Sequence, residues 1–197
     1  TPEGQAGPVL DYFHKYVLNR VVQTDPTGAT PTSSPPYNPK VVIAYSYLGD
    51  PAWHFDDDDG LVPISRKTWS QWRGYAKVGV TQGEGTDVKT YAESLYFRGM
   101  DGDKQSSGTP RSVQVVASAA SGAPPLPDDD AYAGMVREQI TYLGPGGAEV
   151  SGSVSDPWQS AATATRTIGT TTVYARYTGV QATHSRVVLD GGRGWRR

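Results

Sequence analysis

Apolar and polar positions alternate with a period of two through most of the chain, the pattern of strands with one face packed and one face wet. From Asp11 to Val22, Tyr12, His14, Tyr16, Leu18, Arg20 and Val22 fall on one face; Phe13, Lys15, Val17, Asn19 and Val21 fall on the other. A helix competes for this stretch because it lacks Gly and Pro, but its aromatic and β-branched content favours a strand. Val41 to Leu48 is the clearest strand, with Ile43, Tyr45 and Tyr47 opposite Ala44, Ser46 and Leu48. Gly74 to Thr81 and Val88 to Arg98 predict two more, joined as a hairpin across the glycines of Gln82 to Asp87. Ser112 to Ser118 follows, then Met135 to Leu143 and Ala148 to Val154 flank the Gly144-Pro145-Gly146-Gly147 turn. Thr163 to Ile168, Thr171 to Tyr177 and His184 to Leu189 complete the series.

About nine or ten short strands at fairly even spacing predict an all-β fold of antiparallel sheets joined by hairpins, a β-sandwich or a segment of a β-shell. The best helix candidate is Ala131 to Ile140, with Asp128, Asp129 and Asp130 as caps. No stretch recurs with helical spacing over three turns, and no repeat of fixed period is present. Thr24 to Lys40, carrying Pro26, Pro31, Pro35, Pro36 and Pro39, predicts an exposed hairpin connection, and Ser121 to Asp130 a second Pro-rich, acidic loop.

Composition narrows the classes. Gly 23 and Pro 15 in 197 residues exclude a mainly helical chain. With Lys+Arg 18 against Asp+Glu 20, the net charge of -2 argues against a nucleic-acid partner held by phosphate neutralisation. The lack of cysteine excludes a disulfide scaffold, a thiol nucleophile and a thiolate metal site. No run of 18 apolar residues is present to cross a membrane as a helix. Thr1 to Pro8 has neither the charge nor the apolar core of a signal peptide, and Gly191 to Arg197 is unlike a packed terminus. Both ends therefore read as cuts in a longer chain, with residues 1–197 a single β-rich domain excised from it.

Chemistry-bearing residues are sparse. Asp56, Asp57, Asp58 and Asp59, followed by Gly60, supply the oxygen ligands that calcium requires, but not the alternating spacing of a calcium loop. A solvated loop ending in a glycine turn is the favoured reading of them, and the same two readings apply to Asp101, Asp103 and Asp128 to Asp130. His14, His54 and His184 lack metal-binding spacing, and His54, beside the acidic run, suits a salt bridge or a switch. No nucleophile elbow and no phosphate loop are present. The five tryptophans and 12 tyrosines are more informative. Trp69, Trp72, Arg73 and Tyr75 crowd together between Lys67 and Tyr75, as an interaction surface or a stiff structural corner.

Several strings carry a resemblance. They run, in order, from Asp11 to Val17, Tyr45 to Tyr47, Ala52 to Gly60, Lys67 to Tyr75 and Tyr96 to Asp103, then the Gly144 to Gly147 turn and Asp156-Pro157-Trp158. Together they resemble the region preceding the repeats in large RHS/YD-repeat proteins of actinobacteria, and are similar to the B and C components of insecticidal toxin complexes. The tyrosine–aspartate repeat G-x-x-x-R-Y-x-Y-D-x-x-G itself is absent.

The resemblance implies a non-enzymatic β-domain of a secreted or cell-surface toxin protein of polymorphic type. Such a domain forms or flanks the shell that encloses a C-terminal toxin. Its partner is then the remainder of the parent protein, with no catalytic residue carried over and no cofactor beyond a candidate calcium ion. The alternative is a carbohydrate- or cell-surface-binding module, calcium-assisted, working through the tryptophans and acidic loops. An enzyme ranks last, resting on available carboxylates and three histidines.

Overall fold

The chain is all-β, with fourteen strands in sequence order among the described residues. The computed structural model describes residues 12, 14–24, 40–57, 60–169, 171–189 and 194–196. The strands are β1 (Arg20–Gln23), β2 (Val41–Leu48), β3 (Ala52–His54), β4 (Gln71–Gly74), β5 (Lys77–Gln82), β6 (Thr90–Tyr96) and β7 (Gln114–Val115). They continue with β8 (Leu126–Pro127), β9 (Val136–Tyr142), β10 (Glu149–Gln159), β11 (Ala164–Ile168), β12 (Thr171–Ala175), β13 (Thr178–Val188) and β14 (Trp195–Arg196).

Eight of them form one sheet in the order β1-β2-β5-β6-β9-β10-β13-β14, every neighbouring pair antiparallel. The other six make three two-stranded sheets, β3–β4, β7–β8 and β11–β12. Each small sheet is inserted between two neighbours of the large one: after β2, after β6 and after β10. Neighbouring strands alternate in direction, and β2, β6 and β10 all run the same way. All three insertions therefore leave from one end of the sheet, and the direct β-to-β connections lie at the other.

Burial follows the pleat. Registered partners share a face, which places Val42, Gly79, Leu95, Ile140, Gly152 and Val154 on one side, all of them buried. The opposite side carries Ile43, Tyr45 and Tyr47 on β2 but Thr141, Ser151, Ser153 and Ser155 farther along. The core sits at the insertion end, where Leu95, Phe97 and Val115 pack with Leu126, Tyr132 and Met135. Phe97 and Tyr132 meet edge to face at 5.5 Å.

Several expected boundaries move, each for a local reason. The strand predicted from Asp11 begins only at Arg20, and the described residues before it have no regular structure. Among the described residues this edge segment has only β2 to pair with; Tyr45 N–H donates to Asn19 O and Tyr47 Oη to Leu18 O, and residues 14–18 beyond are exposed. The strand predicted from Gly74 to Thr81 is β5, which starts later, at Lys77, because Gly74, at φ +75°, still ends β4 and turns the chain toward β5. Ser112 to Ser118 shrinks to β7.

The helix weighed for Ala131 to Ile140 is a single 3₁₀ turn over Asp130–Tyr132, with Asp129 accepting from Ala131 N–H, after which β9 begins. Capping was legible there; the tertiary demand for a central strand ended the helix after one turn. β10 and β13 run longer than expected, and β3, β4, β8 and β14 add to the predicted nine or ten. Most of the proline-rich connection lies outside the described residues, but the hairpin it joins is formed, with Gln23 opposite Val41. Among the described residues, no helix is long and apolar enough to cross a membrane.

Candidate functional site

The aromatic cluster is assembled by the first insertion. β3 and β4 pair Trp53 with Trp72 across the strands, ring centroids 4.9 Å apart and 64° between planes. Trp72 touches Tyr75 at 5.8 Å, and Tyr75 touches Tyr47 of the large sheet at 5.0 Å. Trp69 lies apart from that row: it meets Phe55 at 5.2 Å and donates Nε1–H to Lys104 O at 2.7 Å. Arg73 stacks on no indole; it pairs with Asp130 at 2.8 Å and donates to Gln71 at 3.1 Å. The four expected surface residues thus divide: Trp72 and Tyr75 join one row, Trp69 a second ring pair, and Arg73 ties β4 to the 3₁₀ turn. All four are half-buried. Trp53 and Trp69 also line an open groove of about 620 Å³, with Asp50, Arg98, Met100 and Arg111.

The acidic residues are mostly turn ties. Asp56 accepts from Ser70 Oγ while its N–H donates to Thr68 O, and Asp57 accepts from Gln71 Nε2 at 3.0 Å. These bonds hold the strand leaving β3 against the strand entering β4. Asp58 and Asp59 lie outside the described residues. Among the described residues, no group of three or more carboxylate and imidazole side chains is placed to hold a metal ion.

Asp128, nearly inaccessible, accepts from the N–H groups of Arg98 and Gly99 at 2.6 and 2.9 Å. Asp101 accepts from Val113 N–H at 2.8 Å. Asp103, also buried, accepts from Phe55 N–H at 3.0 Å, pairs with Arg111 at 3.2 Å and lies 3.6 Å from His54. The salt-bridge reading of His54 therefore finds its partner in Asp103 rather than in the adjacent acidic run. Each of these carboxylates joins segments that are distant in sequence.

Sequence reasoning missed three buried charges. Arg137, Glu138 and Arg186 are almost wholly inaccessible. Arg186 lies 2.8 Å from Glu138 and 2.6 Å from Glu149, and donates to Ser118 Oγ at 2.9 Å. Its guanidinium rests on the bare backbone of Gly152, directly across the strand pair, where a Cβ would come within 2.6 Å of Cζ. Glu138 in turn accepts from both N–H and Oγ of Ser118, pinning the segment after β7 over the sheet.

Arg137 occupies a bulge of β9, where the pairing with β6 shifts between Leu95 and Tyr96. It donates to Ser155 O at 2.8 Å, Asp156 at 2.7 Å and Pro124 O at 3.0 Å. Asp156 also lies 3.1 Å from His184. Hydrogen bonds from Arg137, outweighing partial burial, and from His184 hold its carboxyl below the usual range. A second tie, on the same face, joins Glu93 to Tyr91 at 2.9 Å and Tyr142 at 3.4 Å. Burial first, then the Glu93 charge, pushes the Tyr142 phenol up to about 12. Sequence offered one signal for all of this, a glycine in register with an arginine, and that register is visible only in the sheet.

Comparison with protein-family models, with curated proteins and with solved structures finds no match for the chain.

Proposed function

We propose that the chain is a non-enzymatic assembly module, a rigid β-domain of a large secreted or cell-surface protein of RHS type. Its task is to form or flank the shell around a C-terminal toxin. The supporting observation is how its chemistry-bearing groups are used: Asp56, Asp57, Asp101, Asp103, Asp128, Glu138 and Arg186 hold one chain segment to another. Groups with such partners are poised for rigidity rather than for proton transfer or nucleophilic attack. The resemblance of the ordered strings in the sequence supplies the parent. Deletion of this segment from an RHS-type parent tests the reading: toxin folding or containment fails without it, and a parent that behaves normally overturns it.

One observation favours a second reading, a carbohydrate-binding module. The groove between the first insertion and residues 98–113 carries two indoles and two arginines, the mixture of flat apolar and hydrogen-bonding groups that sugars use. Thermal melting with calcium and a panel of soluble glycans separates the two readings. A ligand of the folded state raises the midpoint with concentration, and the assembly reading predicts no shift.

A further inference from the structure

The third insertion is joined to the sheet through an irregular stem. β10 and β13 pair as far as Gln159 opposite Thr178, and the ribbon resumes with Ala164 of β11 opposite Ala175 of β12. Between these pairs lie four residues, Ser160 to Thr163, on one side and two, Arg176 and Tyr177, on the other, none of them in a strand. Ser160 N–H donates to Tyr177 O and Thr163 N–H to Ala175 O, both at 2.8 Å, and Arg176 Nη1 to Ser160 O at 2.9 Å. Unequal arms, the longer built of small residues, make a joint in an otherwise regular ribbon.

Beyond the joint, β11 and β12 pair only with each other, and among the described residues their hydrogen bonds stay within the hairpin and its stem. Residues 164–167 and 172–175 are exposed. The exception is Ile168, the last residue of β11, which is half-buried at the tip. Its Cγ2 lies so close to Gly60 of the first insertion that a Cβ there would come within 3.1 Å of it. In the sheet, β5 and β10 are three strand spacings apart, about 14–15 Å, and a five-residue strand reaches about 16 Å. The hairpin thus has the length to cross the ends of β6 and β9. At its foot a cavity of about 800 Å³ lies between Tyr174 and Arg176 and the turn at Asp129 to Ala131. A two-stranded ribbon that buries one apolar side chain is marginal in water, and its opening costs the core nothing.

We propose that the β11–β12 hairpin is a hinged strap, closed across the insertion end by the seating of Ile168 on Gly60. It opens as a unit about residues 160–163 and 176–177, which uncovers Gly60 and widens the cavity at its foot. Ile168 is the latch, and Gly60 receives it because it has no side chain of its own. The inference goes beyond the assembly reading: it adds one moving part to a module whose first two insertions are fixed by carboxylate ties.

Two measurements on the whole chain test it. The chain has no cysteine, so Ser65→Cys and Thr172→Cys, both at exposed positions, carry one nitroxide on the first insertion and one near the tip. The distance distribution between them is expected to be narrow, to stay narrow in Ile168→Val, and to broaden toward longer values in Ile168→Asp. By hydrogen exchange, the paired amides of β11 and β12 exchange at least about a hundredfold faster than those of β9, through local opening. Ile168→Asp speeds them about a further tenfold, while the β6 and β9 amides and the melting midpoint stay unchanged. Hairpin amides as slow as those of β9, a distance that stays narrow in Ile168→Asp, or a midpoint lowered by that change overturns the strap. Each of these results leaves the assembly reading intact, because that reading concerns the first two insertions.

Discussion

Arg186 and Glu138 meet at 2.8 Å with only 3% of either side chain exposed. The pair joins the last long strand of the sheet to β9, and through Ser118 it fastens the second insertion over the sheet face. A buried pair contributes little net stability when intact, but losing one member leaves an uncompensated charge. Arg186→Ala strands both Glu138 and Glu149, and is expected to cost about 3–5 kcal/mol. Urea unfolding checks the value, and a cost below about 1 kcal/mol would show that water reaches the pair.

Gly152 is coupled to that arginine. Gly152→Ala forces a Cβ to within 2.6 Å of the guanidinium and is expected to destabilise by about 1–3 kcal/mol. In an Arg186→Ala background the same change should cost far less. A double-mutant cycle therefore yields a strongly non-additive pair, whereas additivity would contradict the slot.

Gly99 and Gly102 provide a contrast in which the backbone is held constant. Both have positive φ, +72° and +81°, but only at Gly99 would a Cβ meet a neighbour, Asp130 Cα at 2.8 Å. Gly102→Ala incurs the left-handed strain alone, about 1 kcal/mol. Gly99→Ala adds the collision, and its melting midpoint is expected to fall clearly further.

The fold was largely legible from alternation, and the exceptions are instructive. β2 matches its predicted limits because eight residues without a breaker alternate cleanly. β3 and β4 escaped notice because their residues look like loop: Ala52 to His54 is too short, and Gln71 to Gly74 lies in a mixed aromatic and charged run. The crowding of Trp72 and Tyr75 was also legible, whereas Asp130, which pairs with Arg73, and Lys104, which accepts from Trp69, lie more than thirty residues away. The buried charges of β9 and β13 were not legible. Arg137 and Glu138 are adjacent, so strict alternation would expose one of them, and only the β-bulge buries both.

Stability should change at both ends of the pH range. The Asp156 carboxyl is held below its usual range, so its contribution is present above the unfolded value, near pH 4, and is lost as pH falls through the lower folded value. Asp156→Asn is expected to flatten the acid limb of a melting-against-pH profile. Tyr142 has the opposite sign: its contribution is present below about pH 10 and is lost as pH rises through about 12. Tyr142→Phe should flatten the alkaline limb, and phenolate absorbance follows the titration directly. Unchanged limbs would contradict these assignments.

The assembly role proposed above requires side-chain ties that hold the first two insertions rigidly at one end of the sheet. Native-state hydrogen exchange, followed residue by residue, tests it most directly. The amides of Gly99, Val113, Ser118 and Asp128 bond to carboxylates or backbone within the insertion end. They should exchange only with global unfolding, as slowly as the amides of β6 and β9. Exchange of these amides through local opening, at a free energy at least about 2 kcal/mol below the global value, would contradict the account.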